Sequence, residues 1–180
     1  PVIYIDHRML HFQVGPVPED LYEIESRKAR ITREGNDVTL VGVSHMQLEC
    51  LRAAHYLEKL GISVEVIDPV WLSPLDIDTI VHSCRRTKHL CVVDNGWIPY
   101  GVGAEILACV SENIQVKKSK RLGFAFAPCS PSPTLEEEFY PNGKTIAKAV
   151  LEMMDAGYFE GALMRTAEVD KRESLFKGPF

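Results

Sequence analysis

Four short apolar runs, each followed by a helical pattern with its own start signal, constrain this chain more than any other feature. They are Val38–Val43, Ile62–Ile67, Leu90–Val93 and Leu122–Phe126. Strands that alternate with helices are joined by crossovers, which set the strands parallel and the helices on both faces. The pattern therefore predicts an α/β fold, a three-layer α/β/α sandwich on a mostly parallel sheet. One edge strand is the exception. Ala29–Arg33 and Val38–Val43 flank Glu34-Gly35-Asn36-Asp37, where Gly and Asn suit positive φ. That reads as a hairpin, which makes one edge of the sheet antiparallel.

The helices are marked by spacing. Ser44-His45-Met46-Gln47 fits a capping box, and the helix behind it lines up Cys50, Leu51, Ala54 and Leu57 before Gly61 stops it. Ser73-Pro74-Leu75-Asp76 opens a second helix, with Ile77, Ile80, Val81 and Cys84 at i, i+3, i+4 and i+7. A third follows Gly101 and carries Gly103, Ile106, Leu107, Val110 and Ile114. A fourth starts at Pro141-Asn142 and buries Ile146, Ala149, Val150 and Met153. From Gly157 onward the regularity is lost, which reads as a tail that docks or stays mobile. Val2–Ile5 reads as a strand with no local partner. Residues 14–26, with Gly15, Pro16 and Pro18, read as an exposed linker. A chain that begins with Pro1 and enters a strand at once is expected to be a cut or processed piece.

Bulk composition excludes some classes of function. The net charge is −5 with Lys and Arg scattered, so no nucleic-acid role is expected. No apolar run approaches the ~20 residues of a membrane span, and no signal peptide is legible. Cys50, Cys84, Cys91, Cys109 and Cys129 are odd in number and lie mostly in apolar stretches. That suits reduced core thiols better than a disulfide frame.

The candidate chemistry is thin. Gly101-x-Gly103 lacks the third glycine of a dinucleotide loop, since Ile106 stands there, so Gly96, Gly101 and Gly103 read as tight packing. Ser44 and His45 sit where a strand meets a helix start, a place that can hold an anion, though a cap accounts for Ser44. His82, Cys84, His89 and Cys91 lack the tight spacing of a zinc site. Glu136-Glu137-Glu138 reads as solvated surface. Asp94-Asn95-Gly96-Trp97 follows a central strand at its C-terminal end, where open α/β sheets place ligands. It is the best position for a functional contact, and a turn with Asp94 and Asn95 on the local backbone is the plainer reading.

Several blocks in order resemble the C-terminal, transketolase-like domain of the beta subunit of thiamine-diphosphate-dependent 2-oxo acid dehydrogenases. They are Val17-Pro18-Glu19, Lys28-Ala29 with Arg33-Glu34-Gly35-x-Asp37-Val38-Thr39-Leu40-Val41, and Gly61-Ile62-Ser63-Val64-Glu65-Val66-Ile67-Asp68. Leu72-Ser73-Pro74-Leu75-Asp76, Val102-Gly103-Ala104-Glu105-Ile106 and Leu135-Glu136-x-x-Phe139-Tyr140-Pro141 continue the series. Residues 1–16 resemble the end of the preceding pyrimidine-binding domain. The resemblance implies a linker over 17–27, the transketolase C-terminal-like domain over 28–157 and a docking tail over 158–180.

The resemblance also implies a division of labour. The parent enzyme holds thiamine diphosphate and magnesium between its alpha subunit and the upstream beta domain, decarboxylates a 2-oxo acid and passes the acyl group to a lipoyl acyltransferase. The C-terminal domain is a non-catalytic assembly element. No catalytic, cofactor-binding or metal residue maps onto this chain, and the piece alone is expected to be inactive and to bind no cofactor. The implied partners are a second copy, met through the Trp97–Gly103 turn and the third helix, the alpha subunit and the acyltransferase core. The implied location is the cytoplasm, or the mitochondrial matrix in a eukaryote. Two alternatives stay open: a transketolase or deoxyxylulose-phosphate synthase C-terminal domain, and a free-standing module binding a small ligand near Ser44 and Asp94.

Overall fold

Val38–Gly42 is buried along its whole length, which places it inside a sheet covered on both faces. It is strand β2 of five: β1 (Arg30–Arg33), β2, β3 (Val64–Asp68), β4 (His89–Trp97) and β5 (Lys118–Phe124). The computed structural model describes residues 1–124, 126–129, 131–132, 135 and 139–173, the side chains of 169–173 excepted. The strand order is β1-β3-β2-β4-β5. The pairs β2–β3, β2–β4 and β4–β5 are parallel, and β1–β3 is antiparallel. The α-helices among the described residues are α1 (Met46–Glu58), α2 (Ile77–Thr87), α3 (Val102–Asn113), α4 (Gly143–Met153) and α5 (Glu160–Glu173).

Alternation along the strands sorts the core into two layers. Val38, Leu40, Val64, Val66, Cys91 and Val93 point toward α1, α4 and α5. Val41, Ile67, Leu90 and Val92 point toward α2 and α3. The three-layer sandwich, mostly parallel with one antiparallel edge, is as the sequence implies.

The hairpin is not formed. β1 pairs with β3, Ile31 opposite Ile67, and β3 lies between β1 and β2. The Glu34–Asp37 connection is instead pinned to the start of β3. The amides of Asn36 and Asp37 donate to Ser63 O at 3.2 and 2.8 Å, and Asp37 Oδ2 accepts from Ser63 N at 2.7 Å. A side chain at Gly35 would collide with the Val64–Glu65 backbone. That glycine serves a close crossing of two chain segments, which sequence alone does not distinguish from a turn.

Strand and helix ends also shift. β4 runs on through Asp94-Asn95-Gly96 to Trp97, so these residues form no turn. β5 starts at Lys118, earlier than Leu122, and ends at Phe124. Its lysines hid it, since Lys118 and Lys120 reach Asp155 and Glu152 at 2.6 Å. Ser44 makes no cap: its φ is +55°, and α1 starts after His45 without a side-chain cap. Gln47 is buried and turns to the sheet. With its oxygen accepting from Thr32 Oγ1, its nitrogen donates to Gly42 O and Ile67 O, both at 3.3 Å. Asp76, not Ser73, caps α2. Asn142 caps α4 in a reciprocal box with Thr145.

The two ends depart most from expectation. Val2–Ile5 belongs to no strand and is exposed. Beyond Gly157 a regular helix, α5, returns to the core and buries Leu163 completely, with Phe159 packed beside it. Leu175, Phe176 and Phe180, the apolar residues by which the tail is expected to dock, lie outside the described residues.

Candidate functional site

The chain winds from β2 outward to β3, then crosses back to β4 and outward to β5. The winding reverses between β2 and β4, and such a switch point leaves a crevice at the carboxyl ends of the two strands. The Val43 amide donates to Val93 O at 2.9 Å, so Ser44, just past the end of β2, lies beside Asp94 within β4. The two positions singled out from sequence are thus brought together by topology.

Asp94 is half-buried, and that burial raises its pKa above the ordinary carboxylate value. Backbone N–H groups of Asn95 and Val102 oppose the rise. The second of these is at the N-terminus of α3, so the helix's positive end is already met by a side chain. Gly96 and Gly101 lie against this carboxylate. A Cβ at Gly96 would be 2.9 Å from Asp94 Oδ2, and one at Gly101 would collide with Trp97 O. Packing explains these glycines, as it does Gly103 against Val92.

Across the crevice, Ser44 is exposed and His45 stacks on His7 with ring centroids 4.8 Å apart. Burial lowers the His45 pKa, so the neutral imidazole is favoured. A half-buried carboxylate and a neutral imidazole are the chemistry of this crevice. The residues do not fit a diphosphate with its metal. Asp94 occupies the helix N-terminus where such an anion would sit, and among the described residues no group of three or more His, Cys, Asp or Glu could hold an ion.

The other sequence candidates disperse. Cys84 belongs to the layer under α2 and α3, and Cys91 to the layer on the opposite face of the sheet. Burial pushes Cys84 up to about 11 and Cys91 up to about 12, which makes them inert core thiols. His82 is exposed on α2, while His89 Nδ1 lies 3.1 Å from Asp37 O and from Thr87 O. Glu136-Glu137-Glu138 lies outside the described residues.

Among the described residues three carboxylates are buried, of which Asp76 alone was read from sequence, as part of a helix opening. Glu49 Oε2 accepts from Gly143 N at 2.8 Å, tying α1 to the start of α4. Asp76 accepts from Ala29 N at 3.0 Å and Thr79 Oγ1 at 2.8 Å. Burial pushes Asp76 up, but these hydrogen bonds and Lys28 outweigh it and hold its carboxyl below the usual value. Glu65 pairs with Arg86. A Glu inside an otherwise Val/Ile strand is the signal that could have found the last.

Residues 27–146 match the family described as Transketolase, C-terminal domain, and the chain belongs to that family. It is 39% identical over 158 residues to the pyruvate dehydrogenase E1 component subunit beta of Staphylococcus epidermidis, covering 84% of this chain and 49% of that one. It is 36% identical over 157 residues to the acetoin:2,6-dichlorophenolindophenol oxidoreductase subunit beta of Bacillus subtilis, covering 86% and 46%. A mitochondrial pyruvate dehydrogenase E1 beta of Dictyostelium discoideum is 40% identical over 117 residues, 63% of this chain and 33% of that one. The chain spans about half the length of the first two relatives. A solved split-gene transketolase, described as an inactive beta4 tetramer, superposes with a TM-score of 0.66 at 26% identity, over 78% of this chain and 48% of the other. Among the described residues no helix is long and apolar enough to cross a membrane.

Proposed function

We propose that this chain is the C-terminal assembly region of a thiamine-diphosphate-dependent 2-oxo acid dehydrogenase beta subunit. The observation that carries the reading is the 36–39% identity to a pyruvate dehydrogenase E1 beta subunit and an acetoin oxidoreductase beta subunit over 84–86% of the chain. The split transketolase, at 26%, makes the transketolase reading second. Residues 1–16 are assigned to the end of an upstream domain, 17–27 to a linker, 28–157 to the assembly domain and 158–180 to a docking tail. The parent would decarboxylate a 2-oxo acid and hand the acyl group to a lipoyl acyltransferase. Thiamine diphosphate and magnesium would be held upstream with the alpha subunit.

Assembly needs apolar surface, and two patches supply it. Val2, Ile3, Tyr4 and Ile5 are exposed at the N-terminal end. Trp97 and Phe126 are exposed beside β5 with ring centroids 5.7 Å apart, next to Phe124, Phe139 and Tyr140. Exposed aromatic clusters of this kind mark association surfaces. A second copy is assigned to the Trp97 patch.

The test is a chimera. The 158 matched residues of the Staphylococcus epidermidis beta subunit are replaced by this chain and co-expressed with that enzyme's alpha subunit. Co-purification of both subunits and carbon dioxide release from pyruvate are the expected results. A folded chimera that leaves the alpha subunit behind overturns the assembly role. Calorimetry on this chain alone, with thiamine diphosphate and magnesium, is expected to be silent, and micromolar binding would contradict the assignment.

A further inference from the structure

Residues 1–12 touch the domain sparingly, and only His7 and Leu10 among them are not exposed. The contact that holds His7 is a ring on a ring. Its imidazole lies over that of His45, with centroids 4.8 Å apart and planes 22° apart. His45 immediately precedes α1, and its side chain makes no capping bond there. His7 precedes a short 3-10 helix, Arg8–Phe12, and caps it: His7 Nδ1 accepts from Met9 N at 3.3 Å. That nitrogen therefore carries no proton in this arrangement.

The geometry suits two neutral rings and no others. A proton on His7 Nδ1 would cancel the bond from Met9 N. A proton on each ring would set two like charges face to face at 4.8 Å. The charges around the stack do not offset this. At His45, burial disfavours the charged form, Glu49 opposes that, and His7 and Arg52 add to it. Glu49 is itself engaged by Arg52 and by Gly143 N. The N-terminal end of α1 adds further positive potential. On the other side, Asp6 is taken by His11, whose Nε2 lies 2.5 Å from Asp6 Oδ2. That pair lies within the N-terminal segment and does not tie it to α1.

We propose that the His7–His45 stack is a pH-sensitive latch, which holds the N-terminal segment against the start of α1 while both rings are neutral and releases it when they are protonated. Release removes the ring that covers His45 at the Ser44–Asp94 crevice. It also frees the exposed apolar run Val2–Ile5, which the same segment carries. The direction follows from proton binding. Out of the latch, His45 loses its burial and its facing ring and takes a proton more readily. Latching is therefore strongest above the ordinary histidine value of 6.5 and weakens as the pH falls below it.

The test is backbone nitrogen relaxation on the 180-residue chain at about pH 7.5 and about pH 5, on either side of the histidine range. The heteronuclear NOE of the Met9, Leu10 and His11 amides reports the segment, and Val41 and Ile67 serve as core references. The segment amides should be as rigid as the references at the higher pH and mobile at the lower, with the references unchanged. His45→Phe keeps a ring under His7 that takes no charge. A protonated His7 over a phenyl face is attracted rather than repelled, so this variant should stay rigid at the lower pH. His7→Asn keeps an acceptor for Met9 N but removes the ring. Its segment should be mobile at both pH values, and His45 should titrate closer to 6.5 than in the parent. A parent segment equally rigid or equally mobile at the two pH values overturns the latch. So does His45→Phe releasing as the parent does, or His7→Asn leaving the segment held.

Discussion

The face of the sheet under α1, α4 and α5 is apolar from Leu40 and Val66 to Ile146 and Leu163, whereas the face under α2 sets Thr39, Glu65, Ser83 and Thr87 among its aliphatics. On that second face Thr39 Oγ1 is 2.6 Å from Ser83 Oγ and 2.7 Å from Thr87 Oγ1, and Thr87 also donates to Ser83 O at 3.3 Å. The hydroxyls satisfy one another, so the seam is tolerated inside the core. The contrast separates two tasks. The first face holds the sheet to three helices mainly by apolar burial, with Gln47 and Glu49 as its buried polar ties. The polar face fixes the register of one helix, α2, and pairs Glu65 with Arg86 at its margin.

The sharpest way to break this contrast is Leu163→Ala. Leu163 is fully buried and joins α5 to the apolar layer, so its truncation should cost about 2–5 kcal/mol of unfolding free energy in urea. A loss below ~1 kcal/mol would mean that α5 lies on the domain without belonging to its core. Thr39→Val is the counterpart on the polar face. Shape is kept, but Ser83 Oγ loses its partner, so a cost of about 1–3 kcal/mol is expected. Adding Ser83→Ala should recover part of that loss, since no hydroxyl is then orphaned. Strict additivity in the double-mutant cycle would deny the seam any cooperative role.

The smallest effect concerns pH. Asp76, which caps α2, has a folded pKa held below the ordinary 3.8. A depressed carboxylate contributes stability above its unfolded pKa and loses it as pH falls through the folded one. The chain should therefore lose stability on acidification below about pH 4, and Asp76→Asn should flatten that limb, being less stable than the parent at pH 7 and approaching it as the pH falls toward 2.5. Parallel urea-midpoint curves for the two proteins down to pH 2.5 would show that α2 is not anchored by this charge.

What the sequence determined by itself is what repeats over a few residues. The i, i+3, i+4, i+7 stripe of Ile77, Ile80, Val81 and Cys84, the Pro141-Asn142 start of α4 and the stop at Gly61 all appear as read. Each depends on neighbours within one or two helical turns. The βα rhythm then requires crossovers and parallel strands, so the layer architecture is legible as well. At the candidate site, Ser44, His45 and Asp94 were legible as positions, because the ends of apolar runs are local.

Tertiary structure decided whatever needs a partner far along the chain. β1 chose β3 over its neighbour β2 because the Gly35 crossing and the Asp37–Ser63 bonds pin the connection 26 residues away. Ser44 lost its cap because the chain turns at positive φ and Gln47 is drawn to Thr32 on β1. α5 was read as irregular because its mixed polar sequence acquires a buried face only when Leu163 meets the layer already made by α1 and α4. Glu65 looked like one charge in a strand pattern. Its burial and its pairing with Arg86 exist only once α2 packs on β2 and reaches over to β3. A local pattern records which side of an element is apolar, while the energy of a buried polar group depends on what the fold brings to it.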